Sequence, residues 1–379
     1  MKRKQIITAI ISVLAIVGIT YAILPVHMQR ALIRMKARID DYRIFENRTV
    51  EAGSPVPWSV SPLCNEKEVP EEASRLMTEL KTTAFLIVKD NRIIYEKYYK
   101  GYEKDSISNS FSAAKSIVSL LVGIALDEGS IRSINAPVGD YLPEFSQGPA
   151  AQVTVRDVLT MSSGIEWDES YSSLFSVTTK SYFGNDLDGL VRGLKVVEIP
   201  GRRFNYQSGS TQMLGLIVMK ATGKTLSEYA SEKLWKPLGA GKAALWSLDR
   251  KDGTEKAFCC FNSTARDFAR IGQLVLNGGT FAGKRVVSAE YIRQATSPAA
   301  WLSDDAGKPV DYYGYQFWIM HHHGLTIPMA RGILGQYIII IPQKNAVIVR
   351  LGEKRIEKKD RQVPLDAYTW VDAALKVME

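Results

Sequence analysis

Histidine is scarce in this chain, with four among 379 residues. One is His27, and the other three stand together as His321 to His323. A Ser-His-Asp hydrolase therefore has little to draw on. The Gly-x-Ser-x-Gly turn it would want is also missing, since Ser208 gives "YQSGS" and Ser163 gives "MSSGI". Cysteine is nearly as rare. The odd set Cys64, Cys259 and Cys260 excludes a disulfide framework and a zinc pattern. It leaves either one bridge from Cys64 to the vicinal pair or three unpaired thiols. There is no long low-complexity tract and no repeat at solenoid periods.

Acidic residues fall short of basic ones, for a formal net charge of +8. Seven cations precede residue 39: Lys2, Arg3, Lys4, Arg30, Arg34, Lys36 and Arg38. With no nucleic-acid motif beside them, they read as membrane electrostatics. Between them lies "QIITAIISVLAIVGITYAIL", Gln5 to Leu24, twenty residues without a charge. At about 1.5 Å per residue this run spans roughly 30 Å, one hydrocarbon core. Ala22 is a poor signal-cleavage site, because Thr20 holds the −3 place and Ile23-Leu24 prolong the apolar run. The expectation is an uncleaved signal anchor, a single transmembrane helix. Positive charge flanks both ends, so the positive-inside rule decides weakly. A retained signal-like segment puts the N-terminus inside and the body outside the cytoplasm, on the periplasmic side.

Residues 1–28 are thus expected to be the anchor and 29–75 a connector. In the connector, "MQRALIRMKARIDDYRIF" suits a short basic helix on the membrane surface. "GSPVPWSVSPLC" is Pro-rich and reads as extended. From residue 76 the pattern is that of one large domain, 76–379. "TAFLIVKDNRIIYEKYYKGY" holds two β-rich runs around Lys89-Asp90-Asn91, a hairpin signal. "AAKSIVSLLVGIALDEG" reads as a buried helix stopped by Gly129. Helix signals dominate about 131–300, and "NSTARDFARIGQLVLNGG" both starts with caps and ends in Asn-Gly-Gly. Strands return in "YGYQFWIMHHH" and "GQYIIIIPQKNAVIVRLG", the latter turning at Gln343-Lys344-Asn345. "PLDAYTWVDAALKVM" closes the chain as a helix. The fold class is α+β. An antiparallel sheet from both chain ends, about 76–130 and 301–379, is flanked by helices and carries an inserted helical part.

The chemistry centres on "SNSFSAAKSIVSLLVG". Ser112 and Lys115 sit one helical turn apart at the head of an apolar helix, so hydroxyl and amine share a face. Burial can lower a lysine pKa enough for base chemistry. This is the single Ser-x-x-Lys in the chain, although alone the motif is a weak signal. A second piece, "IPGRRFNYQSGSTQMLG", places Tyr206-x-Ser208 just before a helix.

With these two motifs the chain resembles the serine β-lactamase and penicillin-recognising superfamily. It is similar within it to the class C β-lactamase-related hydrolases, including family VIII-type esterases and 6-aminohexanoate-oligomer hydrolases. "DVLTMSSGI", "PLGAGKAALWSLD", "LVLNGGTFAGKRVVS" and "GQYIIIIP" add landmarks from about Thr83 to the end. The resemblance implies a β-lactamase/transpeptidase-like fold and a serine hydrolase cleaving an ester or amide through an acyl-enzyme. Ser112 would be the nucleophile, Lys115 its partner and Tyr206 the shared acid/base. An ammonium beside Tyr206 would favour its phenolate, which otherwise holds its proton to about pH 10. Ser208 would hydrogen-bond Lys115 or substrate.

The third motif departs from the family. Ala330-Arg331-Gly332, or in a different register Ile333-Leu334-Gly335, lies where relatives carry Lys-Thr-Gly, and in either alignment the side chains that hold a β-lactam carboxylate are gone. Arg331 in a strand points away from Ala330 and Gly332. The backbone role survives: the resemblance implies an oxyanion hole from the Ile333 and Ser112 N–H groups, with Gly332 giving substrate access to the strand edge. Tyr171, in "WDESYSS", is a candidate substrate-side hydroxyl or else a packed loop aromatic. Asp168 and Glu169 are expected to be solvated. Of the histidine run, only His321 and His323 share a strand face, and no carboxylate stands near in metal spacing. No metal and no organic cofactor is expected. Partners are a small-molecule or short peptide ester or amide and the membrane, not nucleic acid. Two readings compete with the hydrolase: a catalytically silent penicillin-fold binding or sensor domain, and a β-lactamase or D-alanyl peptidase proper.

Overall fold

The computed structural model describes residues 3–171 and 173–379. Its N-terminal helix α1, Arg3–Ile23, stands clear of the body. Within it Gln5–Ile23 is long and apolar enough to cross a membrane, and none of that stretch is buried.

The frame is a seven-stranded sheet. In chain order its strands are β2 (Ser59–Val60), β3 (Thr82–Lys89), β4 (Arg92–Tyr98), β8 (Trp318–His322), β9 (Leu325–Gly332), β10 (Gln336–Ile341) and β11 (Ala346–Gly352). The spatial order is β8-β9-β10-β11-β3-β4-β2, antiparallel except where β2 joins β4. The hairpin expected at Lys89-Asp90-Asn91 is present. Lys89 pairs with Arg92 across Asp90 and Asn91, whose φ values of 51° and 61° suit the tight primed turn that matches strand twist. At the other hairpin Asn345, φ 47°, turns the chain between β10 and β11.

Strand alternation divides the core in two. Leu86, Val88, Ile338, Ile340, Val347 and Val349 join one buried cluster. Phe85, Ile87, Ile339, Ile341 and Ile348 join another, around Trp370 of the C-terminal helix α8 (Leu365–Met378). Helices cover both faces, which is why the strands read as near-continuous apolar runs. Helix α7, Ala265–Leu276, lies on the first face so closely that a Cβ on Gly272 would meet Val347 at 2.4 Å.

The region 131–300 is not purely helical. It supplies β6 (Ala244–Ser247) and β7 (Phe261–Thr264) to a second sheet, which β1 (Asn47–Val50) and β5 (Ile107–Asn109) complete in the order β1-β6-β7-β5. The segment 29–75, read as a connector, is woven into the body. β1 pairs with β6, β2 with β4, and helix α3 (Glu71–Glu79) buries Ala73 and Met77. The basic helix α2, Val26–Arg34, packs on α5 (Val177–Phe183), where Arg30 donates to the Phe183 carbonyl. These strands are two and four residues long and acquire order only from partners far along the chain. The cysteine pairing also differs from both expectations, since Cys259 and Cys260 are joined to each other and Cys64 is free.

Candidate active site

Ser112 lies where the two sheets meet. β5 runs into a tight turn, Phe111–Ala113, and helix α4, Ala114–Asp127, follows. Phe111 holds φ at 44°, a sparsely populated value for an aromatic residue. The Phe111 N–H donates to Asn109 Oδ1 at 2.8 Å and the Ser110 N–H to the Phe261 carbonyl at 2.9 Å, which fix the turn. β9 ends directly against it. A Cβ on Gly332 would sit 2.2 Å from the Ser110 carbonyl oxygen, so only glycine lets strand and turn approach this closely.

Every residue of α4 from Ala114 to Ala125 is buried, Lys115 among them. Its ammonium donates to Ser112 Oγ at 3.1 Å, Ser208 Oγ at 3.1 Å and the Phe258 carbonyl at 2.8 Å. No carboxylate lies within ion-pair distance of it among the described residues. Burial brings its pKa down to about 8, with Glu169 acting the other way. Helix α6, Ser208–Thr222, packs on α4 and brings Ser208 across.

Tyr206 faces the same cleft as Ser112, with Lys115 Nζ 5.3 Å from its ring centre. Burial, reinforced by Glu169, pushes the phenol pKa upward. The expected phenolate is therefore disfavoured, and of the two groups it is Lys115 whose pKa is brought toward the neutral range. Arg331 stacks on Trp318 at 3.6 Å and, although it points away from Ala330, lines the same cleft as Ser112 and Tyr206.

Glu169 corrects the expectation of a solvated side chain. It accepts from Ser208 Oγ at 2.6 Å, the Ser208 N–H at 2.7 Å, Trp167 Nε1 at 2.7 Å and the Tyr171 hydroxyl at 2.5 Å. Ser208 thus links a carboxylate to the buried ammonium. No spacing rule pointed to Glu169's link to the buried amine, because Ser208, which makes it, lies about forty positions away on α6. Tyr171 is exposed rather than packed and lines both clefts that meet at Ser112. Gly332 and Ile333 stand at the polar cleft beside Ser112, and Ile333 also lines the second.

The histidines stand outside both clefts. Contrary to the strand-face argument, His322 and His323 come together, each within 2.8 Å of Asp372 on α8, because His323 turns at φ 49°. This trio, of which only His323 is exposed, is the one group of three potential metal ligands among the described residues. His321 faces the Asp311 carbonyl instead.

The two-faced antiparallel sheet agrees with what known proteins show. The beta-lactamase family model matches residues 72–368. The chain belongs to that family. The 6-aminohexanoate-dimer hydrolase of Paenarthrobacter ureafaciens is 29% identical over 298 residues, covering 75% of each chain. Among solved structures, a candidate 6-aminohexanoate-dimer hydrolase from Bacillus anthracis superposes with a TM-score of 0.76 at 21% identity, over 90% of this chain and 92% of that one. A family VIII carboxylesterase gives 0.65 at 18% identity, over 84% and 98%. This member of the beta-lactamase family is a hydrolase with the penicillin-binding fold.

Proposed function

We propose that the protein cleaves an ester or amide by forming an acyl-enzyme on Ser112. The observation that carries this reading is the Lys115 amine at 3.1 Å from Ser112 Oγ, with its pKa brought down to about 8. A fraction of Lys115 is then neutral at mild pH and accepts the Ser112 proton as Oγ bonds to the acyl carbon. The carbonyl π electrons move to oxygen, and the Ser112 and Ile333 N–H groups would receive the oxyanion. As the bond to the leaving group breaks, the Tyr206 phenol delivers a proton to the departing oxygen or nitrogen. The proton held by Lys115 then restores Tyr206. Water repeats the sequence at the acyl carbon and returns Ser112. Ser208, held by Glu169, keeps the amine aimed at Ser112.

The relatives named as hydrolases of a 6-aminohexanoate dimer and of carboxylic esters favour a small ester or amide substrate. Ala330 and Arg331 in place of Lys and Thr weigh against β-lactam turnover, and the assembled Ser112, Lys115 and Tyr206 weigh against a silent sensor. α1 serves as an uncleaved anchor in this reading, with the body outside the cytoplasm. Ser112→Ala is expected to abolish both p-nitrophenyl acetate turnover and fluorophosphonate labelling. Full activity in that variant would refute the mechanism.

A further inference from the structure

Ser112 opens onto two clefts of unlike chemistry, and Tyr171 and Ile333 stand at both. The first has a volume of about 490 Å³ and carries Arg331, Arg355 and Lys359. Arg331 is 7% exposed and lies flat on Trp318, with one nitrogen donating to the Gln362 carbonyl. Among the described residues no carboxylate comes within ion-pair distance of Arg331 or Lys359, and Arg355 meets only the exposed Glu357, at 3.1 Å. The cleft's own carboxylates are occupied. Asp304 accepts from the Ala306 and Lys308 N–H groups, Asp305 pairs with Arg203 at 2.6 Å, and Glu169 is held by Ser208 and Tyr171. A buried guanidinium flanked by two further cations is costly unless an anion meets it. Burial and the neighbouring Arg355 bring the Arg331 pKa down to about 10, as expected of crowded cations.

The second cleft, about 560 Å³, is walled by Ala31, Met35, Phe111, Leu174, Phe183 and Leu334. Its near wall belongs to α2 and the residues after it, and only Leu24 and Pro25 separate α2 from the apolar helix α1. Its rim is apolar and open to solvent. Met35, which lines it, is 83% exposed, and Leu32, Ile33 and Phe175, neighbours in the chain of its lining residues Ala31 and Leu174, are exposed as well. An uncovered apolar rim next to a helix able to cross a bilayer is placed to meet hydrocarbon.

We infer that the substrate is amphiphilic: an ester whose hydrocarbon arm enters the apolar cleft from the membrane side and whose anionic arm lies against Arg331, Arg355 and Lys359. This rests on the acyl-enzyme reading and narrows it to a lipid-like class. Either a carboxylate or a phosphate would supply the anion.

The test uses full-length protein in neutral lipid nanodiscs and 4-acyloxybenzoates with butanoyl, octanoyl and dodecanoyl chains, each against its uncharged 4-acyloxybenzamide. The matching acyl phosphate-headed esters separate phosphate from carboxylate. The octanoyl benzoate is expected to exceed the butanoyl benzoate in kcat/KM by at least about tenfold. It is expected to exceed its own benzamide by about fivefold or more. Leu174→Glu flattens the chain-length series, and Arg355→Gln with Lys359→Met brings the charge ratio toward one. Equal rates across chain length or charge in the unmodified protein would overturn the inference while leaving Ser112 hydrolysis standing. So would a Leu174→Glu protein that keeps the full chain-length series, or a double variant that keeps the charge ratio. If no ester is cleaved, the hydrolytic reading fails on its own. Calorimetry on Ser112→Ala then decides the inference: tighter binding of octanoyl benzoate than of butanoyl benzamide supports it, and equal binding refutes it.

Discussion

Lys115 and Lys256 are both buried lysines, and burial brings the first to a pKa of about 8 and the second to about 7. By titration alone they would rank as equals, with Lys256 the more perturbed. Their neighbours differ. Lys115 Nζ touches two hydroxyls and opens, through Ser112, onto two clefts. Lys256 Nζ donates to the Leu248 carbonyl at 2.9 Å and lies 4.5 Å above the Phe45 ring, and it lines neither cleft. A depressed pKa reports only burial. An adjacent nucleophile with access to solvent is what turns it into a base.

The largest effect that would break this contrast is on turnover. Lys115→Met is expected to lower ester kcat/KM by about 10³-fold or more. Lys256→Met is expected to stay within about twofold of the parent enzyme. Equal losses in the two variants, measured with p-nitrophenyl acetate on folded protein, would make burial rather than placement the decisive property. A third buried cation extends the comparison. Arg350 donates to the Leu80, Leu334, Gly335 and Lys354 carbonyls and to Thr82 Oγ1. It thereby pins the turn that follows β9 beside Ser112. Arg350→Met leaves these acceptors unpaired and is expected to cost about 3 kcal/mol in urea unfolding.

The same contrast explains what the sequence made legible. Ser112 and Lys115 are one turn apart, so local spacing suffices to pair them. Asp90-Asn91 and Asn345 announce their hairpins through backbone preference, and strand alternation announces both cores. Glu169, β1, β2 and the Asp372–histidine contact were not legible. Each depends on a partner far along the chain, such as Ser247 for Asn47 or Ser208 for Glu169, and no local pattern encodes such distances. Tyr206 was found only through resemblance, because nothing local separates it from the other tyrosines.

Stability against pH gives a smaller test. Both lysines hold folded-state pKa values below the usual lysine value of 10.5. Between about pH 7 and 10 the unfolded chain therefore binds more protons, and stability rises with pH across that window. Below the folded pKa both states are protonated and the slope vanishes. Lys256→Met is expected to remove the part of the rise that begins near pH 7 and to raise stability at neutral pH by about 1 kcal/mol. Urea titrations at pH 6, 7, 8 and 9 would read both. An unchanged slope would mean that Lys256 is not held neutral in the folded protein.

The smallest expected effect separates the two lysines most finely, because it depends on Glu169 alone. If neutral Lys115 is the base, kcat/KM rises with pH through a midpoint near 8, the free-enzyme pKa. Glu169 favours the charged amine through Ser208. Glu169→Gln removes that attraction while keeping an acceptor for Ser208 Oγ, so the neutral amine becomes more accessible and the midpoint moves to lower pH. The same change raises the neutral fraction at pH 7, so activity there is expected to hold or increase while the plateau at high pH falls. The Lys256-dependent stability slope should not respond, since Glu169 is no part of its surroundings. A midpoint that stays fixed in Glu169→Gln would assign the profile to another group. A midpoint that moves upward would exclude both Lys115 and Tyr206 as the titrating group, since Glu169 raises the pKa of each.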